Sequence, residues 1–412
     1  MSVDVVSFGC RLNALDGETV RALARAGGAQ NLTIVNSCAV TAEATRQARA
    51  AVRRAARERP GAEIVVTGCA AQIEPERFAA MPEVSRVIGA AAKTRPESWS
   101  GLGPASRVDV GDALEARSVA APPPDAEVLL PRAFVQVQTG CDHRCTFCVI
   151  PFGRGAARST PTEIVVAEVR RVVGRGAAEA VLTGVDITSW GEDFPERPKL
   201  GTLVRKILRE VPELKRLRLS SLDAVEIDAE LLRALAEEER LAPHLHLSLQ
   251  SGDDMILKRM KRRHSRADAL RLVGEIRRVR PDVAFGADVI AGFPTETDAM
   301  FENSRRLLEE CGISYAHVFP YSPRPGTPAA RMPQLPGDVI RSRAAALRET
   351  GHDLLRRHLD ARVGWPVTVL SEGRGVARAA DFTTVRVTED APKGAFVEAL
   401  PATHDGRALI AA

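Results

Sequence analysis

The chain has 412 residues, 45% of them apolar and 27% charged, with a formal net charge of +4. That length is too great for one ordinary core and calls for two or three domains, while the absence of any uncharged apolar run of about 18 residues excludes a conventional membrane-spanning helix. A charge this mild does not by itself argue for nucleic acid, and the excess of arginine over lysine and the abundant alanine read as composition bias. The opening MSVDVVSFGC lacks the basic and apolar regions of a secretory signal, so a cytoplasmic location is expected. There are seven cysteines, and an odd number in a reducing compartment favours metal ligands or catalytic thiols over a disulfide framework.

From residue 3, short apolar runs at 3–8, 32–35, 63–67 and 84–88 alternate with amphipathic stretches at 16–26 and 43–58. This is the pattern of an open parallel sheet with helices between its strands, and it assigns residues 1–103 to one domain. Each of the first three strands runs into a cysteine, in SFGC, VNSC and VTGC. Loops at the carboxyl ends of parallel strands converge on one crevice, so Cys10, Cys38 and Cys69 can meet there despite their separation.

Residues 104–126, with Pro122, Pro123 and Pro124, lack periodicity and read as a linker. Six strand-like runs follow at 134–137, 180–182, 216–219, 244–249, 284–290 and 315–319, with helical patterns between them. They predict a partial (β/α)6 barrel over 127–357, with its chemistry at the carboxyl ends of the strands. A helix at 338–358 leads to short strands at 366–371, 383–388 and 396–400, a small all-β domain over 359–412 of the sort that grips oligonucleotides. The fold class expected for the whole chain is α/β with an all-β tail.

The first barrel strand ends in TGCDHRCTFCVIP, where Cys141, Cys145 and Cys148 form C-x3-C-x2-C. Structural zinc would need a fourth ligand, and only His143 stands nearby, inside the loop and poorly spaced. A four-iron cluster on three thiolates leaves one iron open to amino and carboxylate groups. The loop after a first barrel strand resembles the radical S-adenosylmethionine superfamily, and the resemblance runs through residues 134 to 321. It implies that one electron from the cluster cleaves the bound S-adenosylmethionine to a 5′-deoxyadenosyl radical, while the protein orients the cofactor and excludes water. It also implies cofactor contacts from Phe147, which could equally be ordinary loop packing, and from the strand ends at Thr183, Gly184, Ser220, Ser221, Gln250 and Gly292.

Cys10, Cys38 and Cys69 are a second trio one short of a closed site; they read as ligands of a second open-iron cluster, or alternatively as small core residues. Cys311, at a helix end without partners, reads as a structural thiol. The motifs FGCRLN, NSCAVT, TGCAAQ and YSPRPGTPAA, with the C-x3-C-x2-C loop, resemble the methylthiotransferases over essentially the whole chain. That resemblance implies two 4Fe-4S clusters, the amino-terminal one supplying sulfur, a second S-adenosylmethionine giving the methyl group, and a TRAM-like RNA-binding tail. Beyond the cluster ligands, the catalytic side chains are left open by the sequence. The partners implied are a tRNA anticodon stem-loop and an electron donor such as flavodoxin or ferredoxin.

Three substrates compete within the family: threonylcarbamoyladenosine in tRNA, isopentenyladenosine in tRNA, and an aspartate of a ribosomal protein. GCDHRCTFCVIPFGRGAARS, GVDITSWG and LSSLDAVEID resemble the threonylcarbamoyladenosine branch, the MtaB type. Arg154 and Arg158 near the cysteine loop would suit an anionic threonyl carboxylate. The run KRMKRRHSR offers Lys258, Arg259, Lys261, Arg262 and Arg263 to RNA phosphates. A reading of another class, a zinc and RNA-binding protein without catalysis, separates by metal content: about eight irons per chain against one or two zincs.

Overall fold

Runs of valine and isoleucine, stiff at χ1 and suited to pleated surfaces, form the amino-terminal sheet. Its strands β1 (Val3–Ser7), β2 (Leu32–Ser37), β3 (Glu63–Gly68), β4 (Arg86–Ile88) and β5 (Val108–Asp109) pair in that order, all parallel. The computed structural model describes residues 3–100, 107–115, 119, 122–123, 126–128, 130–388 and 391–411. Helices α1 (Arg11–Ala26), α2 (Ala42–Glu58), α3 (Cys69–Ile73) and α4 (Pro75–Ala79) connect the strands. Thr41 caps α2 by accepting the Ala44 N–H at 3.1 Å, and the helix buries its small-residue face, Ala48, Ala51, Val52 and Ala55, in the sheet's core. Helix α1 begins earlier than its apolar period suggests, directly at the cysteine loop.

The stretch read as a linker is in part a piece of the sheet. Its residues 108–109 are β5, and Ala113 is buried against the rest. A two-residue strand is too short to show a period, which is why the sequence gives no sign of it. Pro124 and the neighbouring residues 104–106, 116–118, 120–121 and 125 lie outside the described residues.

The barrel opens with β6 (Arg132–Gln136). A short antiparallel pair, β7 (Gln138–Thr139) with β8 (Arg158–Ser159), brackets the cysteine loop and α5 (Ile150–Arg154). Then follow α6 (Thr162–Gly174), β9 (Glu179–Thr183), α7 (Leu200–Glu210), β10 (Arg216–Leu219), β11 (Ser221–Leu222), α8 (Ala229–Glu237), β12 (His244–Gln250), α9 (Asp254–Arg259), α10 (Arg266–Val279), β13 (Ala284–Ala291), α11 (Asp298–Glu310) and β14 (Ile313–Pro320). All pairs from β6 to β14 other than the short one are parallel, with a break at Ser220 between β10 and β11, giving the expected six-unit open barrel. Period-2 alternation sorts its strands. In β12, Leu245, Leu247 and Leu249 enter the core beneath the helices, so His244, His246, Ser248 and Gln250 face the lumen.

Helix α12 (Gly337–Asp360) lies against β13 and β14 and delivers the chain to the tail. There β15 (Val367–Gly373), β16 (Val376–Ala379), β17 (Thr384–Val387), β18 (Phe396–Ala399), β19 (Pro401–His404) and β20 (Leu409–Ala411) form one sheet, antiparallel except for the β17–β20 pair. Strands β16, β19 and β20, of three or four residues, were not anticipated from the sequence. Phe382 of the tail stacks on His244 at 4.8 Å between centroids, and the guanidinium groups of Arg378, Arg218, Arg11 and Arg132 lie 4.5, 5.1, 5.6 and 5.6 Å from its ring. These cation–π contacts tie the tail to the barrel and to the amino-terminal sheet. Among the described residues no helix is long and apolar enough to cross a membrane.

Candidate active site

The first cysteine trio is assembled by three strand-end loops. Cys10 caps α1, Cys38 follows β2, and Cys69 opens α3 directly after β3. Gly9 has a left-handed φ of 92°, and a Cβ there would come within 2.5 Å of Cys38 Sγ, so only glycine lets the two loops close. Asn13 Nδ2 donates to Phe8 O at 2.8 Å and Ser37 O at 3.0 Å, and Asn36 Nδ2 donates to Asn13 O at 2.7 Å, which fixes the loops together. Burial pushes the Cys38 thiol up to about 11, and the neighbouring thiols Cys69 and Cys10 add to the effect.

The second trio sits on the loop after β7. Thr146 pins it: its N–H donates to Met260 O at 3.1 Å, its hydroxyl to Arg259 O at 2.8 Å, and its carbonyl accepts from Ala329 N at 2.9 Å. Burial and the charge of Asp186 push the Cys141 thiol up to about 12, and burial pushes Cys148 to about 11. Thiols crowded and buried in this way become thiolates when a cation shared among them supplies the missing countercharge. Arg262 adds positive charge: its Nη1 donates to Cys145 Sγ at 3.8 Å, and its Nη2 holds Asp223 Oδ2 at 2.8 Å and Ser248 O at 2.9 Å. His143 Nε2 is engaged by side chains, lying 2.8 Å from Asp186 Oδ2 and 2.8 Å from Arg263 Nη2, and its pKa is raised to about 10 chiefly by Asp186. Three thiols on one short loop fit a four-iron cluster with an open iron.

Tertiary packing puts the two trios side by side. Helix α5 lies on α3 so closely that a Cβ on Gly153 would be 3.2 Å from Cys69 Cβ and 3.2 Å from Ile73 Cδ1, and Val149 joins the amino-terminal core. Arg154 reaches across to Asn13 Oδ1 and Asp16 Oδ2, each at 2.8 Å, and Lys93 Nζ meets the same Asp16 oxygen at 2.6 Å. Arg154, expected to meet a threonyl carboxylate, is instead a buried link between domains, 6% exposed and paired with Asp16. Arg158 is half-buried, donates to Arg154 O at 2.9 Å, and lines a polar cavity of about 260 Å³ with Asp16, Lys93 and Arg95. The basic run also divides. Lys258 and Lys261 are exposed, Arg263 is exposed but paired with Glu226 and His143, Arg259 is held by Thr295 Oγ1 at 2.7 Å, and Arg262 faces the second trio.

The other strand-end residues surround the barrel mouth. Thr183 and Gly184 stand at the end of β9, Ser220 follows β10 and Ser221 opens β11, with Ser220 Oγ buried and without a protein partner. Gln250 and Gly292 end β12 and β13 in left-handed conformations, φ 64° and 74°, and Gly292 N donates to Glu296 Oε1 at 3.2 Å. Phe147 meets Phe293 edge-on at 6.3 Å between centroids. Sequence reasoning missed Gln138, whose Oε1 accepts from Val185 N and Asp186 N at 3.1 and 3.0 Å and shapes the turn at Gly184. It also missed Asp186, Asp223 and Glu226, the acids behind His143 and Arg262. Their partners are remote in sequence and leave no local signal.

Residues 135–308 match the family described as Radical SAM superfamily, and residues 2–89 match Uncharacterized protein family UPF0004. The chain is 46% identical, over 93% of its length and 91% of the relative's, to the threonylcarbamoyladenosine tRNA methylthiotransferase MtaB of Rickettsia prowazekii. It is 36% identical to the tRNA-2-methylthio-N(6)-dimethylallyladenosine synthase of Erythrobacter litoralis, over 84% of this chain and 80% of that one. A similar solved structure is the radical S-adenosylmethionine methyltransferase TsrM of Kitasatospora setae, with a TM-score of 0.55 at 16% identity over 77% of this chain and 67% of that one, a likeness of fold. With the radical module carrying S-adenosylmethionine and a four-iron cluster, and with this identity over nearly its full length, the chain belongs to the radical S-adenosylmethionine methylthiotransferase family.

Proposed function

We propose that the chain methylthiolates N6-threonylcarbamoyladenosine next to the anticodon of tRNA, giving the 2-methylthio derivative. One observation carries this choice within the family: the identity to an MtaB enzyme, 46% over 93% of the chain, against 36% to a dimethylallyladenosine enzyme. Cys141, Cys145 and Cys148 hold the radical cluster in this reading, and Cys10, Cys38 and Cys69 hold a second four-iron cluster. When bound, these groups supply the 5′-deoxyadenosyl radical and the sulfur. The adjacency of the trios through α3 and α5 supports the division, because a substrate carbon between them can meet both.

The chain's own residues then hold and shield. Phe147, Thr183, Gly184, Ser220, Ser221, Gln250 and Gly292 line the mouth where S-adenosylmethionine would lie. Lys258, Lys261 and Arg263 beside it, with the TRAM-like tail, are suited to anticodon-stem phosphates. The target nucleotide must be turned out of its loop to reach this depth. A small electron donor such as flavodoxin or ferredoxin would complete the system. Incubating anaerobically reconstituted enzyme with tRNA bearing either modified adenosine, followed by nucleoside mass spectrometry, tests the reading. Methylthiolation of isopentenyladenosine with threonylcarbamoyladenosine untouched would reject it.

A further inference from the structure

Inside the barrel, one layer below the strand ends, three side chains from adjacent strands converge. His246 of β12 places Nε2 2.9 Å from Asp288 Oδ1 of β13, and His317 of β14 places Nδ1 3.5 Å from the same oxygen. The two imidazoles lie 4.7 Å apart, centroid to centroid. Space for the set is made by Gly286, where any Cβ would collide with His246 Nδ1. The lumen is open at this level, since the inward-facing His317 side chain is 57% exposed while Leu245, Leu247 and Leu249 of β12 are fully buried on the outer face. Although burial opposes ionisation, the hydrogen bonds from both histidines hold the Asp288 carboxyl well below its usual range. His246 thus spends Nε2 on Asp288 and packs Nδ1 against Gly286, whereas His317 turns Nδ1 to Asp288 and keeps Nε2.

The two arginines expected to meet an anionic substrate group stand away from the barrel lumen: Arg154 is committed to Asp16, and Arg158 donates to Arg154 O and lines the polar cavity beside Asp16 and Lys93. We infer that His317, backed by Asp288 and His246, is the seat of the threonyl carboxylate, and that it sets the preference for an acidic N6 substituent. The inference rests on the threonylcarbamoyladenosine reading and deepens it. A carboxylate accepting from His317 Nε2 would place a second acid beside the two imidazoles, across the ring from Asp288. An apolar isopentenyl group in the same place would displace the water that otherwise meets His317 and offer it no hydrogen-bond partner.

The test uses full-length reconstituted enzyme and an anticodon stem-loop RNA carrying threonylcarbamoyladenosine, either as the free acid or as its neutral methyl ester. The parent enzyme should prefer the acid in kcat/KM by about tenfold or more, the fold-change that a hydrogen bond to a charged group confers. In His317→Leu the ratio should fall toward one, chiefly through a higher KM for the acid. Iron content and circular dichroism establish that the variant is folded, and should it lose iron, His317→Gln is read in the same way. A parent that modifies the acid but shows the same acid-to-ester ratio as its His317 variants overturns the seat alone. A parent inactive on both RNAs, yet active on isopentenyladenosine, overturns the substrate reading and the seat with it.

Discussion

Arg154 Nη2 lies 2.8 Å from Asp16 Oδ2, and this pair, at most 10% exposed on either side, joins the barrel to the amino-terminal sheet at the point where the cysteine trios approach each other. Lys93 shares the acid at 2.6 Å, so Asp16 answers two cations from two directions. The arrangement is asymmetric, and the asymmetry is testable.

Removing one partner from a buried pair costs about 3–5 kcal/mol, because the remaining charge is left uncompensated. Asp16→Asn strands two cations, whereas Arg154→Leu leaves Asp16 with Lys93. Anaerobic urea unfolding should therefore show the larger loss for Asp16→Asn, and equal losses would deny the shared acid. Burial raises the Asp16 pKa but Lys93 and Arg154 lower it further, so the net shift is downward. Its contribution is then present above the ordinary carboxylate value of about 4 and fades as pH falls below that.

Ligand counting gives a second prediction. Cys141→Ala with Cys145→Ala and Cys148→Ala should retain about half the iron after reconstitution. Cys38→Ala should still form 5′-deoxyadenosine under strong reductant while inserting no sulfur, since radical formation needs only the barrel's trio. Loss of all iron from a folded triple variant would show that the amino-terminal cysteines hold no cluster by themselves.

Arg262 donates to Cys145 Sγ at 3.8 Å, and a cation beside a ligating thiolate favours the reduced cluster. Arg262→Gln should lower the midpoint potential of the barrel cluster in a redox titration followed by electron paramagnetic resonance. An unchanged potential would confine Arg262 to holding Asp223 in place.

The exposed lysines of the basic run should act through phosphates alone. Lys258→Ala with Lys261→Ala should weaken tRNA binding and reduce the steepness of its salt dependence by about 1–2 in the log–log slope. Unaltered slope would place the RNA elsewhere. Deleting 359–412 would be a poor substitute for this test, because Phe382 would be lost from its seat among Arg11, Arg132, Arg218 and His244.

The sequence by itself determined everything that depends on local period and spacing. Leu245, Leu247 and Leu249 announce a strand because alternation is a local property, and C-x3-C-x2-C announces a cluster loop because its ligands lie within one turn of chain. Strand ends running into Cys10, Cys38 and Cys69 place those thiols together through the geometry of any open parallel sheet. Tertiary structure alone decided which charges are spent and which remain available. Arg154 and Asp16 stand 138 positions apart, and Arg262 and Cys145 stand 117 apart, so nothing in their neighbourhoods tells a buried arginine from a surface one. The same holds for His246, Asp288 and His317: each reads as one polar position in an alternating strand, and only the register of three adjacent strands brings their side chains to a single oxygen.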